Sequence, residues 1–272
     1  MLFEERKLSR DNTVSCATCH DLHQGGADRR KYPIGVHQAE GQINTPTVFN
    51  SAANFKQFWD GRAATLEDQI DGPITSAMEM GSTWTEVVSK LRTVPEYVAA
   101  FRKVYPDGIE PKNVRNAIAE FERSLITPNS RFDQFLRGDN SALSADEKEG
   151  YRKFKSYGCT SCHQGINVGG NMFETLGGMA DYFKDHGGAN KMDLGRYNVT
   201  GREEDRYVFK VPSLRNIALT PPYLHNGSAA TLEQAVTIMG QYQLGEQLPG
   251  KDVEQIVKFL QALTGEFEGH PL

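Results

Sequence analysis

Cys16-Ala17-Thr18-Cys19-His20 and Cys159-Thr160-Ser161-Cys162-His163 are two copies of one pattern, C-x-x-C-H, and together they use all four cysteines of the 272-residue chain. The pattern reads as a c-type haem attachment site. Two cysteines one helical turn apart can add across the two vinyl groups on one porphyrin edge, and the next residue then sets an imidazole under the iron. Cys16, Cys19, Cys159 and Cys162 are therefore the expected thioether anchors, and His20 and His163 the expected proximal ligands. A four-cysteine zinc site would use both pairs together and needs no histidine after each; a redox dithiol would want a βαβ context, which is missing. Two covalently bound haem c groups are the expectation.

A second repeat supports a duplication. Trp59-Asp60-Gly61-Arg62-Ala63-Ala64-Thr65-Leu66-Glu67 is echoed by His225-Asn226-Gly227-Ser228-Ala229-Ala230-Thr231-Leu232-Glu233, and Thr45-Pro46-Thr47-Val48 by Val211-Pro212-Ser213-Leu214. Each half thus runs haem motif, proline turn, helix start, and the expected fold is all-α: two tandem cytochrome c-like domains, each around one haem. Val114, Ile118, Phe121 and Leu125 share a helical face behind Pro111, as do Ile256, Phe259, Leu260 and Leu263. Ser144-x-x-Glu147, Thr83-x-x-Glu86 and Thr231-x-x-Gln234 each read as a capping box. Pro128, Asn129, Gly138 and Asn140 break the helical pattern, which places the boundary between Thr127 and Ser144 and the domains at 1–135 and 136–272.

The formal net charge of −5 argues against nucleic acid, and no window reaches the roughly 18 apolar residues of a membrane span. Met1-Leu2-Phe3-Glu4-Glu5-Arg6-Lys7 lacks the apolar segment of a secretory signal. Haem attachment to cysteine pairs takes place outside the bacterial cytoplasm, so a periplasmic location is expected from that chemistry alone.

The residue opposite each proximal histidine decides between electron transfer and peroxide chemistry. At the second haem the candidates are Met172, Met179, Met192 and Met239; Met239 is preferred because it ends the helix begun at Thr231 and enters the Gly240–Gly250 loop. At the first haem Met80 competes with His37, which lies in the glycine-bearing loop Ile34-Gly35-Val36-His37.

The run Phe58-Trp59-Asp60-Gly61-Arg62-Ala63, then Leu66, Gln69, Gly72-Pro73 and Glu79-Met80-Gly81, with the Asn44-Thr45-Pro46-Thr47 turn and both haem motifs, resembles bacterial di-haem cytochrome c peroxidases. So does Val211-Pro212-Ser213-Leu214-Arg215-Asn216 with Pro222-Tyr223-Leu224-His225-Asn226-Gly227 and Gln234-Ala235-Val236. The likeness covers nearly the whole chain, and Met1-Leu2-Phe3 looks like an internal stretch of family precursors. It implies that the first haem reacts with hydrogen peroxide and that the second, with Met239 as ligand, collects electrons from a small cytochrome c or cupredoxin. His37 would ligate the first iron at rest and leave on activation. The loop departs from the family pattern by one residue, because several members carry the histidine directly after Ile-Gly, where Val36 stands here.

The resemblance further implies Glu79 as the acid/base for peroxide, Gln69 as its hydrogen-bonding neighbour and Trp59 as a bridge between the haems. It implies one calcium ion, held by the Asn44 side chain and the carbonyls of Thr220 and Pro222 with several waters, and a homodimer. Two competing functions differ by one feature each. A non-catalytic di-haem electron carrier has no use for Glu79 and Gln69. A protein-oxidising relative of the methylamine dehydrogenase maturation enzyme carries tyrosine at the second haem; Met239 opposes that reading, and Tyr242 keeps it open.

Overall fold

A computed structural model describes residues 1–272. The helices are α1 (Cys16–Cys19), α2 (Leu66–Thr75), α3 (Trp84–Arg92), α4 (Pro95–Val104), α5 (Pro111–Ser124), α6 (Arg131–Leu136), α7 (Ala145–Ser156), α8 (Tyr182–Asp185), α9 (Tyr197–Thr200), α10 (Leu232–Ile238) and α11 (Gly250–Gln261). Two antiparallel ribbons, β1 (Phe173–Thr175) with β2 (Val208–Lys210) and β3 (Glu266–Phe267) with β4 (His270–Pro271), qualify the all-α expectation. Strands of two and three residues are too short for alternation to be read from sequence. No helix is long and apolar enough to cross a membrane.

Caps decide where several helices begin. Ser144 and Glu147 exchange hydrogen bonds at the head of α7, and Thr231 and Gln234 do so at α10. At α3 only half the box forms. Thr83 accepts from the Glu86 N–H, while the Glu86 carboxylate turns to Ser82 Oγ (3.1 Å) and Lys90 Nζ (3.0 Å). A charged lysine one turn on outcompetes the Thr83 N–H.

Packing produces two apolar cores. In the first, Leu66, Ile70 and Ile74 of α2 meet Val114 and Ile118 of α5. The second is built on α7, α10 and α11 and includes Phe154, Val236, Ile256, Phe259 and Leu260. Gly150 permits the α7–α11 crossing: a Cβ there would lie 1.9 Å from the Gln255 carbonyl oxygen.

The stretch from Thr127 to Ser144 is more ordered than its helix breakers suggest. Ser130 and Asp133 form a capping box that opens α6. Thr127 is buried and ties the two halves together: its Oγ1 accepts from Asn50 Nδ2 (2.7 Å) and Asn216 Nδ2 (2.9 Å), and its N–H donates to Asn50 Oδ1 (2.9 Å).

The internal echo is three-dimensional. Bridges Gln57↔Ala63 and Tyr223↔Ala229 close equivalent turns, Phe58 and Leu224 share positive φ (67° and 69°), and Thr65 and Thr231 cap equivalent helices. β1, α8 and α9 fill the longer interval that the second half places between its haem motif and its proline turn.

Candidate functional site

Each C-x-x-C-H segment forms a short helical turn whose histidine is held from behind. His20 Nδ1 lies 3.1 Å from the Gly26 carbonyl, and His163 Nδ1 lies 3.4 Å from the Val168 carbonyl. A carbonyl only accepts, so Nδ1 carries the proton and Nε2 keeps its lone pair for a metal. The Pro46 carbonyl also lies close to the His20 ring and the Pro212 carbonyl to the His163 ring, so the repeated proline turn borders each histidine. Burial lowers both imidazoles below the usual histidine value, His163 to about 4, so both are neutral and able to ligate.

Burial pushes the Cys16 and Cys19 thiols up to about 12 and Cys159 up to about 11, which keeps them protonated here. No group of three or more His, Cys, Asp or Glu side chains is placed to hold a metal ion. The donor set fits a haem at each motif: two thiols, a neutral imidazole with free Nε2, and a cavity beside them.

At the first motif a cavity of about 60 Å³ is lined by Cys16, Cys19 and His20 together with Gln69, Glu79 and Met80. Local backbone chemistry brings these together. Pro73 has no N–H to give the Gln69 carbonyl, and α2 ends two residues later. The chain then folds back, with Gly81 N–H donating to Ser76 O (2.8 Å), Met80 N–H to Pro73 O (3.1 Å) and Ser82 N–H to Ile74 O (2.8 Å), which sets Glu79 against the cavity. Burial raises the Glu79 carboxyl above its ordinary range, opposed by the Ser76 hydroxyl and the Arg62 charge.

His37 stands apart from that cavity. Its side chain is 68% exposed, 3.6 Å from Asp11, at the tip of a turn where it takes φ of 55°. The loop base is nonetheless pinned to the catalytic candidate: Val36 N–H donates to the Glu79 carbonyl at 2.8 Å. A Cβ on Gly35 would come within 2.2 Å of Met78 O and 2.5 Å of Glu79 O, so only glycine permits this approach.

At the second motif a cavity of about 240 Å³ is lined by both His163 and Met239. Met239 lies at the junction where α10 passes into a turn of π-helix, Met239–Leu244, rather than into a loop. Met172, Met179 and Met192 do not line it, and neither does Tyr242, whose hydroxyl donates to Asp185 Oδ2 (3.3 Å). Residues of the first half, including Trp59 and Asn44, close the same cavity, and Thr220 and Pro222 lie in its wall with Asn44. The Asn44 Nδ2 donates to Arg30 O at 2.8 Å.

Three site-lining residues escaped the sequence reading, each with a trace. Glu122 is a buried carboxyl four residues after Ile118 on an otherwise apolar stripe, and it lines the first cavity. Lys210 interrupts the apolar run Val208-Phe209-Lys210-Val211 and lines the second. His225 is the echo of Trp59; it is buried, its Nε2 is 2.7 Å from Asp193 Oδ1, and its ring stacks on Phe209 at 4.3 Å.

A family model described as di-haem cytochrome c peroxidase matches residues 1–141. Cytochrome c peroxidase Ccp of Escherichia coli (strain K12) is 51% identical over 267 residues, 98% of this chain and 57% of the relative, so the chain spans little more than half of that protein. Cytochrome c551 peroxidase of Nitrosomonas europaea is 46% identical over 98% of this chain and 78% of its own length. Among solved structures, a MauG-like protein associated with microbial copper homeostasis superposes with a TM-score of 0.87 at 27% identity, covering 97% of this chain and 87% of that one.

Proposed function

Because the chain belongs to the di-haem cytochrome c peroxidase family, we propose that it reduces hydrogen peroxide to water in the periplasm with electrons from a small cytochrome c or cupredoxin. The observation that carries this reading is the convergence of Glu79 and Gln69 on the cavity beside His20. The family implies two haems; when bound, they supply the redox chemistry, taking up electrons singly and passing two to peroxide. Residues 1–135 and 136–272 each carry one of the attachment motifs in this reading.

Peroxide reduction consumes two electrons and two protons and yields two waters. Glu79 takes a proton from one peroxide oxygen and returns it to the oxygen that leaves as water, a shuttle suited to a carboxyl held above its ordinary range by burial. Gln69 orients peroxide by hydrogen bonding. His20 and His163 would hold the two haems, Met239 would serve as a further ligand at the electron-collecting site, and Trp59 would form the bridge between the two sites. His37 would ligate the first haem in a resting form and leave it on activation; its side chain is exposed at the tip of its turn. A calcium ion would be held by the Asn44 side chain and the carbonyls of Thr220 and Pro222, and two chains would form a homodimer.

Stopped-flow mixing of peroxide with the fully oxidised and half-reduced protein tests the proposal, with pyridine haemochrome assay of haem content. Glu79→Gln is expected to lower turnover by roughly 10²- to 10⁴-fold with two haems retained. Absence of peroxide turnover in both redox states of the wild type would leave a di-haem electron carrier.

A further inference from the structure

Lys210 is the one cation lining the second cavity that has no partner. It is 8% exposed, its side chain makes no hydrogen bond or ion pair, and burial alone acts on its amine, pulling it down to about 8. Arg215, the other long cation in the wall, is already satisfied: its Nη1 and Nη2 donate to Asp133 Oδ2 (2.7 Å) and Oδ1 (2.9 Å). The only carboxylate in the wall, Glu174, lies across the ribbon from Phe209, and its Oε2 is 3.9 Å from Cys162 Sγ. A buried ammonium without a counter-charge is costly, and side chains of this kind are retained where an anion faces them.

We propose that Lys210 is the counter-charge for a carboxylate of the haem attached at Cys159 and Cys162, a propionate, and that it thereby sets the potential of that centre. This rests on the two-haem reading above. The backbone supports the assignment. The Lys210 N–H donates to the Trp59 carbonyl at 2.7 Å, and two residues further on the Pro212 carbonyl lies close to the His163 ring. The lysine is therefore fixed to the segment that holds the proximal ligand, at the seam between the halves. A positive charge beside a haem favours the ferrous state, which carries one positive charge fewer, so Lys210 is a positioning residue that raises the potential.

The test is spectroelectrochemical titration of both centres in the haem-loaded wild type, Lys210→Met and Lys210→Arg, with resonance Raman of the propionate bending modes. Lys210→Met is expected to retain two haems and to lower the reduction equilibrium constant of the Met239-side centre about tenfold, a fall of 59 mV for one electron. Its propionate bands shift, and Lys210→Arg keeps the wild-type potential. Should the methionine variant not take up both haems, Lys210→Gln supplies the same reading. An unmoved potential with unmoved propionate bands overturns the proposal, as does a fall as large in the arginine variant or a change confined to the first centre. Lack of a second haem in the wild type overturns the two-haem reading and this proposal together; two haems with an unmoved potential overturns this proposal alone.

Discussion

Trp59 and His225 hold equivalent places in the two halves and are joined through a single residue. The Trp59 Nε1–H donates to the Asn44 carbonyl (2.9 Å), the Asn44 N–H donates to the His225 carbonyl (2.8 Å), and the two rings meet edge-on at 6.3 Å. Trp59→Phe keeps an aromatic ring but removes the donor, leaving a half-buried carbonyl unpaired at a cost of about 1–3 kcal/mol. Two changes are expected: a lower urea midpoint, and slower reoxidation of the Met239-side centre when half-reduced protein meets peroxide. Reoxidation at the wild-type rate would confine Trp59 to packing.

Gly35 is the contact through which the His37 loop reaches the acid/base candidate. A methyl group there must push away the backbone of Met78 and Glu79, since both clashes are with main-chain atoms that cannot rotate aside. Gly35→Ala is expected to displace Glu79 by the order of 1 Å and lower peroxide turnover by on the order of 10²-fold. Steady-state turnover beside circular dichroism checks it; the helical spectrum is unchanged because no helix contains residue 35.

How far the sequence was legible depended on the length scale of each signal. The haem motifs and the Thr65 and Thr231 caps are local and periodic, and each lies where its neighbours place it. Gln69 and Glu79 could be paired in sequence only by resemblance; what unites them is the reversal after Pro73, a backbone event without a periodic signature. The α6 helix was hidden by flanking breakers, although Ser130-x-x-Asp133 is itself a capping signal. Lys210 and Glu122 are single polar residues in apolar runs, and their meaning depends on a cavity formed by distant chain segments.

Glu122 gives the protein a pH dependence of its own. It is 7% exposed, and burial, reinforced by Glu67, raises its carboxyl from 4.5 to about 7. A raised carboxyl means that the folded state binds more protons than the unfolded state between those values. Stability therefore falls as pH rises from about 4.5 to about 7 and is flat in this contribution above that. The full penalty is on the order of 3 kcal/mol. Glu122→Gln is expected to leave stability at pH 4.5 nearly unchanged and to raise it by up to that amount at pH 8. Denaturant titrations of both proteins at the two pH values measure the difference, and equal gains at both would mean that the charge at Glu122 is not the cause.

The α7–α11 crossing offers a test of how far packing strain reaches into the second motif. Gly150 sits where the two helix backbones approach most closely: a Cβ would be 1.9 Å from Gln255 O, 2.6 Å from Gln255 C and 3.0 Å from Phe259 Cβ. Rotamer changes relieve none of these, so the helices must separate, loosening Phe154 from Phe259, whose rings lie 5.2 Å apart. Phe154 also stands beside His163, with ring centroids at 6.4 Å, so the strain reaches the second motif. Gly150→Ala is expected to cost about 3 kcal/mol, the upper end for overpacking, and to weaken the Met239-side ligation. Thermal denaturation followed at 222 nm and in the haem absorption band measures both. In the variant the band is expected to change at a lower temperature than the helical signal, whereas coincident transitions would show that the crossing and the second motif unfold as one unit.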